Sequence, residues 1–128
     1  MNAIGKTMLM YYDVPAYNCY PAHLADLYPD YISSLWVFIR PGLSAEDAGY
    51  VYIPGSTPAD ATNIVLYENL PEPFARTGRN VLLASSNDEF LSEAEFQIRL
   101  KQTEANLKAK GIEMKHEPVK AADVKKRF

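Results

Sequence analysis

Four short apolar runs, separated by strong turn signals, constrain this chain most. Residues 34–39 (SLWVFI), 50–53 (YVYI), 63–67 (NIVLY) and 81–84 (VLLA) are too short for docked helices and rich in aromatic, β-branched or leucine side chains. Each therefore reads as a strand, or for 34–39 as a strand or a buried extended segment. Pro41-Gly42 and Pro54-Gly55 close the first two, and 85–88 form a tight turn that sends the chain back through 89–91. Residues 56–62 are a loop and 68–80 a long polar turn. Strands joined this closely in sequence pair antiparallel as a meander.

Helical patterns bracket the runs. In 3–12 (AIGKTMLMYY), Ile4, Met8, Tyr11 and Tyr12 share one face, and Asp13-Val14-Pro15 ends the helix because the residue before proline avoids the helical region. So short a helix must dock on something. Pro21 opens a helical turn over 21–27, and Pro29-Asp30 turns the chain. Near the C-terminus, Ser92 with Glu95 makes a capping box, Leu91 and Phe96 stand at the staple positions, and Phe96, Leu100, Thr103 and Leu107 form a stripe. Gly111 stops this helix, with Lys108 and Lys110 in its last turn. Glu95–Arg99 and Glu104–Lys108 are spaced as i,i+4 ion pairs. The predicted fold is α+β: an N-terminal helix on a small antiparallel sheet, with a C-terminal helix. It places a single domain over 1–111 and a loosely ordered tail over 112–128.

Bulk properties narrow the function. At 128 residues the chain suits one domain, and its net charge of −3 gives no general pull toward nucleic acid. The single cysteine, Cys19, excludes an internal disulfide; no cation adjoins it in sequence to activate its thiol. No window approaches the roughly 18 apolar residues that span a bilayer. No basic-then-apolar leader stands at Met1. This chain by itself is expected to be soluble and not exported; either that is its biology or an upstream segment has been cut off.

Catalytic signals are weak. His23 falls on the helical turn and His116 in the tail, outside any nucleophile or metal-ligand spacing. Ser85-Ser86 lacks a nucleophile elbow. Gly5-Lys6-Thr7 lacks the upstream glycine and strand of a phosphate loop. Lys120, Lys125, Lys126 and Arg127 lack interleaved aromatic residues, so the tail reads as solvated rather than nucleic-acid-binding. The tyrosines of the first third (Tyr11, Tyr12, Tyr17, Tyr20, Tyr28, Tyr31) suit a helix–sheet junction in which each phenol reaches water or a carbonyl; a contact face between subunits is the other reading.

Segments 3–11, 20–32, 37–42, 50–55, 63–73 and 79–96, taken in order, resemble the head of type II secretion pseudopilins and type IV pilin-like proteins. Within that family they are similar to the subgroup with a C-terminal His-x9-Asp-Gly signature. The signature itself is absent: Ser85-Ser86 stands where Asp-Gly is expected, Ala75 at the signature histidine, Asn87 where a following histidine often stands, and Arg40 where cysteine is frequent. The resemblance implies a non-enzymatic assembly subunit without a cofactor. Its docking face would be Ile4, Met8, Tyr11 and Tyr12, and its partners other pilin-like subunits or secretion components. It would meet the membrane only through an N-terminal helix outside this chain, and would reside at the cell envelope, in the periplasm or outside the cell if that anchor exists. Because major pseudopilins bind calcium in the head, Asn87, Asp88 and Glu89 are the calcium candidates, with Asp60, Glu68 and Glu72 in other loops. Calcium requires about six to eight converging oxygens, and no EF-hand spacing is present. A soluble ligand- or protein-binding module derived from such a head is the alternative, and a small enzyme the third reading.

Overall fold

A computed structural model of the chain describes residues 2–13, 20–21, 23–24, 49–68 and 78–119. Helix α1 (Asn2–Asp13) precedes strands β1 (Tyr50–Tyr52), β2 (Ile64–Glu68), β3 (Arg79–Leu83) and β4 (Asp88–Leu91); helix α2 (Glu93–Ala109) and strand β5 (Glu117–Pro118) follow. The strands form one antiparallel sheet in the order β4-β3-β2-β1-β5. The α+β class and the meander of β1 to β4 are as expected. The expected strand over 34–39 and most of the turn over 21–27 lie outside the described residues. Arg79 and Asn80, read as the end of a polar turn, open β3.

The sheet is sandwiched between the two helices. Ile4 and Met8, one turn apart on α1, are wholly buried with Tyr20, Leu24, Tyr52, Val65, Leu66, Leu82, Ala84 and Val119. Tyr11 and Tyr12 lean on this cluster, half-buried. On the opposite face, Phe96 and Leu107 of α2 pack with Val51, Ile53, Ile64, Tyr67, Val81, Leu83 and Leu91. Strand alternation sends Val51 to one face and Tyr52 to the other, so a sheet covered on both sides needs apolar residues at successive positions.

Strict alternation fails once. Ile64 pairs with Leu83 but Leu66 pairs with Leu82, so Val65 is an extra residue on β2. This bulge lets Val65 and Leu66 both join the α1-side core.

The second helix follows its sequence signals closely. The Ser92 hydroxyl accepts the Glu95 backbone N–H at 3.2 Å, and Leu91 and Phe96 are both buried beneath it. At the other end, Ile112 N–H bonds Leu107 O and Gly111 N–H bonds Lys108 O, while Gly111 takes φ +77°. That double closure is a Schellman motif, with Ile112 returning onto the α2-side core. The predicted Glu95–Arg99 ion pair does not form; Arg99 lies 3.9 Å from Glu89 on β4 instead, drawn toward the sheet.

Residues 112–119, expected to begin a loose tail, are docked. Ile112 and Met114 pack on the α2-side core, β5 pairs with β1, and Val119 is buried in the α1-side core. The domain therefore runs past Gly111 through Val119. The signal was concealed because two paired residues, one a proline, carry no strand pattern. Residues 120–128 lie outside the described residues. Among the described residues, no helix is long and apolar enough to cross a membrane.

Candidate functional site

The predicted docking face on α1 is docked within the chain itself. Ile4 and Met8 are consumed by the α1-side core, which leaves Tyr11 and Tyr12 partly exposed at its margin. Gly5 is buried as well, against the turn between β3 and β4, and takes no part in a phosphate loop. The outer face of α1 presents Lys6, Met10 and Asp13, with Met10 55% exposed. Tyrosines secure the junction as the covering reading requires. Tyr20 Oη donates to Ala84 O at 2.5 Å, Tyr52 Oη donates to Pro21 O at 2.6 Å, and the Tyr12 and Tyr20 rings meet edge to face at 6.0 Å. Burial, reinforced by Tyr12 and Asp13, pushes the Tyr20 phenol up to about 12, so it remains a donor. Tyr17, Tyr28, Tyr31 and Cys19 lie outside the described residues.

The calcium candidates do not converge. Asn87, Asp88 and Glu89 are all exposed, and successive strand residues point to opposite faces. Asp88 lines a small cleft of about 250 Å³ with Tyr50, Glu68 and Asn80, whereas Glu89 turns toward Arg99. Glu68 Oε1 accepts the Asn80 backbone N–H at 2.8 Å. Asp60, the loop candidate, accepts from Lys110 Nζ at 2.7 Å and from Thr57 N–H at 2.8 Å. Burial would raise its carboxyl, but these donors hold it below the usual carboxylate value. No three His, Cys, Asp or Glu side chains among the described residues are grouped to hold a metal ion.

The histidines serve strand β5. Residues 116 and 117 project to opposite faces of the sheet. His116 Nδ1 is 3.0 Å from Tyr67 Oη on the α2 side, and Glu117 places both carboxylate oxygens 2.9 Å from His23 Nδ1 on the other. Among the described residues, neither histidine bonds Ser85, Asp88 or Glu89. Ser85 Oγ instead accepts from Asn87 Nδ2 at 3.3 Å inside the turn. No family model, curated protein or solved structure matches this chain.

One polar cluster was not legible in the sequence. Arg79 donates from Nε and Nη2 to the two carboxylate oxygens of Glu93 at 2.9 and 3.0 Å. Its guanidinium also lies 4.6 Å from the Phe96 ring centre and donates to Glu68 O at 3.2 Å. Tyr67 stacks obliquely on Phe96 at 5.0 Å and meets His116 edge-on at 6.0 Å. The forked pair fixes α2 to β3 where the chain enters the helix. Chemically it is a clamp: Nε, Nη1 and Nη2 each donate to a protein acceptor. A second polar set does similar work beneath α2. Asn106 Nδ2 donates to Asn63 Oδ1 at 2.8 Å, and Asn63 Nδ2 donates to Ser56 Oγ at 3.1 Å.

A surface groove of about 500 Å³ lies at the C-terminal end of α2 and is lined by Glu104, Lys108, Gly111, Ile112, Glu113 and Met114. It is open and of mixed polarity. The Arg79–Glu93 pair and the Asn106–Asn63–Ser56 chain thus tie elements together.

Proposed function

We propose that this chain is the globular head of a pilin-like assembly subunit, acting by packing against other subunits rather than by chemistry. The observation that carries this reading is the seating of α1. One face, Ile4 and Met8, is sunk into the sheet, while Lys6, Met10 and Asp13 face outward. A helix held by one face on an antiparallel meander suits a head that continues a longer pilin-type helix, as the resemblance implies. The outward face and the half-buried Tyr11 and Tyr12 are then the surface offered to neighbouring subunits.

The test has two parts. The gene is read in frame upstream of the Met1 codon, where an anchored subunit requires about 20 predominantly apolar residues. Met10→Cys, in a Cys19→Ser background, is then cross-linked in intact cells; the expected product is a ladder of subunits joined through α1. An upstream stop codon together with monomeric protein in cells would overturn the reading.

The open groove at Ile112 and Met114 favours one second reading, a binding module built on the same head. An upstream stop codon combined with a cross-link from Met114→Cys to one defined protein, absent from Met10→Cys, would point to it.

A further inference from the structure

Strand β4 closes one side of the sheet, and its outer edge pairs with no other strand among the described residues. Leu83 N–H donates to Asn87 O at 2.8 Å, which fixes the alternation: Asn87, Glu89 and Leu91 bond inward to β3. Leu91 O accordingly lies on the Gly78 side. The alternate residues, Asp88 and Phe90, turn their N–H and C=O groups outward. No hydrogen bond among the described residues reaches those groups. Asn87, Asp88, Glu89 and Phe90 are all exposed, so the strand is open to solvent along most of its length.

The side chains along that edge have a definite chemistry. Asp88 and Phe90 project to the α1 side, opposite to Leu91, which is buried on the α2 side. Phe90 reaches across to Gly78, whose missing side chain leaves room for the ring, and is still 60% exposed. Asp88 shares a cleft with the Glu68 carboxylate. Residues 84–98 contain four carboxylates, Asp88, Glu89, Glu93 and Glu95, and no Lys, Arg or His. The neighbouring arginines are engaged, Arg79 with Glu93 and Arg99 with Glu89. The edge thus joins outward main-chain groups, an exposed aromatic ring and negative charge. A second acidic strand, such as another copy of β4, would meet like charges there.

We propose that β4 takes up an extended, basic segment of a partner protein as a further strand of the sheet. Main-chain bonds to Asp88 and Phe90 hold the segment in register, and its alternate side chains decide which segment fits. Lysine or arginine at alternate positions lays an aliphatic stem along Phe90 and brings its charge to Asp88. The residues between them fall on the opposite face, where β-branched side chains suit an extended backbone. The site uses an edge of the sheet and stands independently of any packing through α1.

The probe is a fluorescein-labelled peptide of alternating lysine and valine, with a glutamate–valine peptide as the charge-reversed control. In titrations of the purified full chain, the lysine peptide is expected to bind saturably and to weaken as salt is raised. The control is expected to bind at least about tenfold more weakly. Amide hydrogen exchange then locates the peptide. The Asp88 and Phe90 amides, fast in the free chain, should slow by about tenfold or more at saturation. Those of Glu89 and Leu91, already bonded to β3, should change little. Phe90→Pro removes one outward N–H without touching the β3–β4 ladder, so it should keep the fold and lose the peptide. The proposal is overturned by equal affinity for the two peptides, by no saturable binding of the lysine peptide, or by binding that leaves the Asp88 and Phe90 amides fast. Undiminished binding to Phe90→Pro also overturns it. Slowing of the same amides with protein concentration alone marks self-pairing and has the same consequence. The exchange measurement uses the unaltered chain and is decisive even where the proline variant does not fold.

Discussion

Gly5 of α1 lies directly against Ser86 in the turn between β3 and β4: a Cβ on Gly5 would stand 2.8 Å from Ser86 Oγ and 3.1 Å from Ser86 O. The turn is a three-residue hairpin connection, closed by Leu83 N–H to Asn87 O and Ser86 N–H to Leu83 O, with Ser86 at φ +75°. Helix and turn approach closely because one partner has no side chain and the other has a small one.

Gly5→Ala should therefore destabilise the fold by about 1–3 kcal/mol, even though alanine favours a helix by up to roughly 1 kcal/mol over glycine. The carbonyl of Ser86 cannot rotate aside, and Leu82 Cδ1 stands 3.0 Å from the same point. Ser86→Gly should stabilise the parent by about 1 kcal/mol, since glycine adopts positive φ without strain. Urea unfolding of both single variants and the double variant should show that Ser86→Gly restores more stability to Gly5→Ala than it gives the parent.

Thr103 is wholly buried and bridges helix to sheet: its Oγ1 accepts Ile64 N–H at 3.0 Å and donates to Arg99 O at 3.0 Å. Thr103→Val keeps the shape but orphans a buried backbone donor, for an expected loss of about 1–3 kcal/mol. Thr103→Ser should lose less, because the acceptor remains. Thermal unfolding of the two variants separates the hydrogen bond from the packing.

Gly111 and Gly78 test conformation against space. Nothing lies within 4 Å of a Cβ on Gly111, so Gly111→Ala should cost about 1 kcal/mol from its positive φ alone. At Gly78 a Cβ would fall 2.3 Å from Leu91 O and 2.9 Å from the Phe90 ring, across the β3–β4 pair. Gly78→Ala should be much the more damaging, and denaturation midpoints compare them directly.

Acid should weaken the clamp between β3 and α2. The hydrogen bond from Arg79 holds the Glu93 carboxyl below its usual value, outweighing its partial burial, and Gln97 adds a further donor at 3.1 Å. A carboxyl depressed in the folded state contributes stability that is fully present above its unfolded pKa, near 4.5, and is lost as pH falls through the folded value. Stability of the parent should decline over that acid range, while Glu93→Gln should start lower and decline less. Asp60, depressed in net by Lys110 and Thr57, should contribute in the same direction. Chemical denaturation of both chains from pH 6 to about pH 3 measures the difference.

The local elements and their class are legible along the chain. Spacing in 3–12, the Ser92 cap, the Gly111 stop and the short apolar runs closed by turns are signals between near neighbours, and α1, α2 and the β1–β4 meander follow them. The same local logic could not reveal that Ile4 and Met8 would be used up inside the chain's own core, for that depends on which face of the sheet lies beneath them. Nor did it show that Asp88, read as part of the turn, opens β4, where alternation sets Asp88 and Glu89 on opposite faces. The bulge at Val65, the Arg79–Glu93 clamp and the return of β5 to β1 emerge only in the folded chain. Each joins residues distant in sequence, where a pattern of near neighbours carries no record of the partner and packing alone selects it.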